Sequence, residues 1–98
     1  MELWYIARFD IETPRYYLQR LSSEGKMGVY HWIPNRYHAM FFNSELSVGG
    51  YINTYMPIPR NNIDLGIVRF KNGEEDETVP LDEFSQKYAL ILHQVILT

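Results

Sequence analysis

The sequence predicts an α+β fold: a largely antiparallel sheet of four to five strands with two helices packed on one face. Three observations carry that expectation. Short runs rich in branched and aromatic residues recur along the chain, broken by Gly, Pro, Asn and Asp. The last segment repeats Leu81, Phe84, Tyr88, Ile91, Leu92 and Val95 at spacings of three and four, a helical apolar stripe. A length of 98 residues, 46% of them hydrophobic and 21% charged, suits one domain (1–98) with one core.

The elements follow in chain order. Leu3–Phe9 has apolar groups on both faces and reads as an interior strand. Asp10–Pro14 punctuates it. Arg15–Leu21 is the second strand, with Tyr16, Leu18 and Arg20 on one side and Arg15, Tyr17, Gln19 and Leu21 on the other. Ser22–Gly28 is a loop, Val29–Ile33 a third strand, Pro34–Arg36 a tight turn and Tyr37–Asn43 a fourth strand, so that this part is a meander. Ser44–Met56 fits a helical period and also a period of two. Asn43 and Ser44 as N-caps and Glu45 in a first turn favour the helix, against the pair Gly49-Gly50. Pro57–Asn62 is an extended connection and Ile63–Phe70 a fifth strand. Lys71–Thr78, with Gly73 and the run Glu74, Glu75, Asp76 and Glu77, reads as a solvated loop. Pro80 then opens an amphipathic C-terminal helix, with Asp82 and Glu83 at its positive end.

Charge narrows the function classes. Residues 1–49 carry five basic and five acidic side chains; residues 50–98 carry four and seven, which gives the net −3. A binder of duplex DNA normally shows a basic excess, so this balance disfavours nucleic acid. Glu2, Arg8 and Asp10 flank the first apolar run, unlike a signal peptide, and uncharged apolar stretches such as Ala89–Leu92 are far short of a membrane span. A cytoplasmic protein is the expectation. The absence of Cys removes disulfides, thiolate metal sites and cysteine catalysis.

Catalytic patterns are missing. His31 and His38 flank the turn and share a face only if Asn35-Arg36 forms a two-residue loop; no third ligand accompanies them, so no metal is expected. Asp10 and Glu12 lack a partner that would tune them. No serine sits in a nucleophile elbow and no glycine-rich phosphate loop occurs, so neither an enzyme nor a cofactor is expected.

The aromatic and basic residues say more. Arg15, Tyr16, Tyr17 and Arg20, with Tyr30, Trp32, Arg36 and Tyr37, set rings beside guanidinium groups. Tyr, Trp and Arg dominate protein-interface hot spots, and rings beside cations also stack bases. The candidate partner-binding residues are Tyr16, Tyr17, Trp32, Arg36 and Tyr37, with Glu74, Glu75, Asp76 and Glu77 steering toward a basic surface.

The segments Tyr5-Ile6-Ala7-Arg8, Tyr16-Tyr17-Leu18, Trp32 and Ala39-Met40-Phe41-Phe42-Asn43-Ser44 are similar in outline to a module of small phage-encoded proteins. In those, two or three strands lead through an A-x-x-F-x-S segment into a helix. The resemblance covers residues 3–56; Leu-Ser-Val-Gly-Gly-Tyr replaces the usual charged, Ala-rich helix. It implies an inhibitor of a host or defence complex, as anti-CRISPR proteins are, acting in the host cytoplasm, and transfers no site residue. The resulting expectation is a non-enzymatic protein-interaction module that works by steric occlusion. The alternatives are a nucleic-acid or nucleotide binder using the Arg/Tyr face, and a homo-oligomer paired through the increasingly apolar C-terminal helix.

Overall fold

The computed structural model of the chain describes residues 1–9, 15–21, 30–56 and 64–88. They form β1 (Glu2–Arg8), β2 (Tyr17–Leu21), β3 (Tyr30–Ile33), a 3-10 turn (Arg36–His38), α1 (Glu45–Tyr55), β4 (Leu65–Lys71) and β5 (Glu74–Pro80). Residues 81–88 are helical and are called α2. The strands make one sheet in the order β3-β2-β1-β4-β5, every neighbouring pair antiparallel. This is the α+β architecture that the sequence predicts.

Alternation along the strands separates two clusters. Trp4, Ile6, Leu18, Leu65 and Ile67 meet Val48 and Ile52 of α1, Met56, and Leu81 and Phe84 of α2. Tyr5, Ala7, Tyr17, Val68 and Phe70 form the second cluster on the opposite face. β1 lies at the centre with both faces covered, which is why it has no polar side to show.

The ambiguous segment is helical. The Ser44 side chain caps α1 by accepting from the Ser47 N–H at 3.1 Å. Gly49 faces Tyr88, and a Cβ built there would lie 2.2 Å from the ring. The glycine therefore lets α2 lie close against α1, and this contact outweighs its low helix propensity.

Five expectations need correction. Tyr37–Asn43 is not a strand: the chain turns through Arg36–His38 and then runs extended, with one bridge from Phe42 to Trp4. The hairpin assumed for His31 and His38 is absent, since β3 pairs with β2 alone among the described strands. Lys71–Thr78 is not a loop. Asn72 and Gly73 have φ of 54° and 85°, the left-handed pair of a tight hairpin, and the acidic run continues as β5. Pro80 ends β5, and the helix starts at 81. Finally, a bulge between Leu18 and Arg20 breaks the alternation of β2, so Arg20 pairs with His31 while Leu18 pairs with Trp32, placing the two on opposite faces. The readings at Asp10–Pro14, Ser22–Gly28, Pro57–Asn62 and the helix beyond 88 lie outside the described residues, as does any pairing through that helix.

The sheet is split. β1 and β2 are in register only at Ala7 and Tyr17, next to the bond from the Arg8 N–H to the Tyr16 carbonyl at 2.9 Å. Further along, residues 39–42 occupy the space between the strands. The Met40 N–H donates to Leu18 of β2 at 3.0 Å, and Phe42 and Trp4 of β1 exchange bonds of 2.9 and 2.8 Å. The chain thus passes from the second face, where Ala39 is buried, to the helical face, where Met40 and Phe42 pack.

Candidate interaction surface

The 3-10 turn stands over the second face on a fixed backbone. The Asn35 side chain accepts from the Tyr37 N–H at 3.0 Å, and the His38 and Ala39 N–H groups donate to Asn35 and Arg36 carbonyls, each at 3.1 Å. Gln19, at the bulge of β2, donates through Nε2 to the His38 carbonyl at 3.5 Å.

Arg36 closes the arrangement. Its guanidinium carbon lies 4.1 Å from the Phe70 ring centroid, 4.4 Å from Tyr37 and 5.9 Å from Tyr5. One terminal nitrogen donates to the Tyr5 hydroxyl at 3.3 Å; the other donates to the Tyr37 hydroxyl at 3.1 Å and the Gly73 carbonyl at 3.2 Å. The turn, β1 and the tip of the β4–β5 hairpin are tied through this one side chain. Beneath it Tyr5, Tyr17 and Phe70 make edge-on contacts, with centroids 5.4 to 6.4 Å apart.

The candidate residues do not form one surface. Tyr37 is 79% exposed and projects beside half-buried Arg36. Tyr17 is buried in the aromatic triangle, where burial pushes its phenol above the ordinary value of 10. Trp32 packs partly buried on the helical face, 6.1 Å from Tyr30 and with Arg8 over its ring at 5.8 Å. Tyr16 is half-buried, its carbonyl bonded to Arg8.

The acidic run is largely matched within the fold. Glu75 pairs with Arg15 at 3.1 Å and accepts from the Thr78 hydroxyl at 2.7 Å. Asp76 and Glu77 both pair with Arg69, the latter at 3.1 Å, and Glu74 stands in register with Lys71. The Asp76 hydrogen bond holds the Arg69 proton above its ordinary affinity. Arg69 also lines a crevice beneath the helices with Trp4, Phe84, Glu45 and Lys87, and its buried Nε has no partner among the described residues.

Sequence reasoning passed over Tyr5, Phe70 and Gly73, which hold Arg36. No local signal marks them, because they come from β1 and from the β4–β5 hairpin. It also passed over Phe42, Tyr51 and Tyr55, whose rings adjoin at 5.3 and 4.9 Å beside the first core. Tyr51 and Tyr55 stand one helical turn apart on α1. Among the described residues no group of three His, Cys, Asp or Glu could hold a metal ion. No described helix is long and apolar enough to cross a membrane. The chain matches no protein-family model, no curated protein and no solved structure.

Proposed function

We propose that this chain is a non-enzymatic protein-interaction module that docks through the Arg36–Tyr37 turn and inhibits by steric occlusion, in the manner of phage anti-defence proteins. The observation that carries the reading is Tyr37, 79% exposed on a turn whose backbone and neighbouring guanidinium are already fixed. A large aromatic side chain presented without ordering cost is the usual form of an interface anchor. The surface needed is modest: a standard interface takes about 800 Å² per partner.

The charge arrangement supports a protein over a nucleic-acid partner. Base stacking requires open rings with cations free for phosphates. Among the described residues Tyr17 is buried and Arg15 and Arg69 are turned to carboxylates, so the exposed Tyr37 beside Arg36 offers one stacking point and not the row of rings and cations that a strand follows.

The test is affinity capture from bacterial lysate, with and without nuclease, using wild type and Tyr37→Ala. The expected result is a stoichiometric, nuclease-resistant protein held by wild type and weakened at least about 30-fold in the variant, as for a hot-spot residue. Recovery of nucleic acid, or equal capture by both proteins, overturns the reading.

A further inference from the structure

We infer that the Arg36–Tyr37 pair is a carboxylate-recognition point, so that the partner presents an Asp, Glu or C-terminal carboxylate to it; this rests on the interaction reading of the same turn. Arg15, Arg69 and Lys87 are each paired with acids of the chain, namely Glu75, Asp76 with Glu77, and Glu45. Arg36 differs. Among the described residues its hydrogen-bond partners are two phenols and a carbonyl, and its other contacts are ring faces. These groups hold the cation in place without neutralising it.

Donors remain for an incoming acceptor. A guanidinium carries more N–H groups than these three bonds use. The Tyr37 oxygen accepts from Arg36, which leaves its own proton to donate outward. An acceptor reaching the exposed ring meets an O–H beside a fixed positive charge, and an ionised acceptor makes such bonds about twice as strong as a neutral one.

The experiment is an NMR titration of the ¹⁵N-labelled chain with the N-methylamide of N-acetyl-aspartate at constant ionic strength. The asparagine analogue serves as its neutral twin and chloride as the anion control. The expected result is saturable shifts at the Arg36 Nε–H and at Tyr37, with a Kd of roughly tens of millimolar. Tyr37→Phe, at an exposed position that leaves packing intact, weakens them about fivefold. Equal shifts from the asparagine analogue or from chloride, or an unchanged response in Tyr37→Phe, overturn the inference. If that titration fails while Tyr37→Ala still loses a captured protein, the carboxylate is removed and the interface stands. A carboxylate response with no Tyr37-dependent capture supports the recognition point and removes the interface.

Discussion

Replacing Gly49 by Ala raises the intrinsic helix propensity of α1 by about 1 kcal/mol, yet sets a Cβ 2.2 Å from the Tyr88 ring. The ring atoms nearest that Cβ include Cγ, which cannot swing aside without moving the side chain from its base. Overpacking of this kind costs about 1–3 kcal/mol, so Gly49→Ala should lower the urea midpoint despite its better propensity. Tyr17 makes a pH prediction. Burial raises its folded-state value above the unfolded 10, so the folded state holds that proton more tightly. The associated stability is fully present below pH 10 and is lost as pH rises through the folded value. Tyr17→Phe should therefore flatten the decline in stability above pH 10, as read from urea melts across pH 9–12.

The β4–β5 hairpin carries the plainest lesson about elements. Lys71-Asn72-Gly73-Glu74 contains the strongest short hairpin signal, Asn-Gly, but four carboxylates after it look like a solvated loop. What makes the run a strand is Arg69 on the neighbouring strand, which pairs Asp76 and Glu77, with Arg15 taking Glu75. These are contacts between elements, and no pattern within residues 74–77 encodes them. Charge on the outer strand also suits an edge, where it opposes sheet-to-sheet pairing. Gly73→Ala forces a Cβ into φ of 85° and should cost about 1–2 kcal/mol in thermal or chemical unfolding. Ser44→Ala removes the cap of α1 and should cost about 1 kcal/mol, leaving the hairpin untouched.

At the scale of the whole molecule, the split between β1 and β2 decides which aromatics are available. Residues 39–42 pass through it, so the Arg36–Tyr37 turn lies over one face while α1 lies on the other. Trp32 and Tyr37, five residues apart, consequently have different duties. Trp32 packs against the main core, and Trp32→Ala should cost about 2 kcal/mol, less than for a fully buried ring, and lower the Tm by roughly 10 °C. Tyr37→Ala should leave the Tm within about 2 °C of wild type, because so exposed a ring contributes little to the core. Calorimetry on the two variants separates these roles; equal losses would make Tyr37 a packing residue.

The sequence by itself determined the α+β class, the interior position of the first strand and the exclusion of cysteine chemistry, and its capping residues favoured a helix over residues 44–56, which the structure forms at 45–55. These follow from short-range periodicity, capping and composition, which are legible because they act within one element. The tertiary structure decided the rest: the burial of Tyr17, the allocation of Trp32 to the helical face, the pairing of the acidic strand and the fixing of Arg36 beneath Tyr37. Each depends on residues distant in sequence, such as Tyr5, Phe70 and Gly73 around Arg36. A bulge at residues 18–20 and a chain crossing at 39–42 change which face a side chain meets, and periodicity alone carries no record of either.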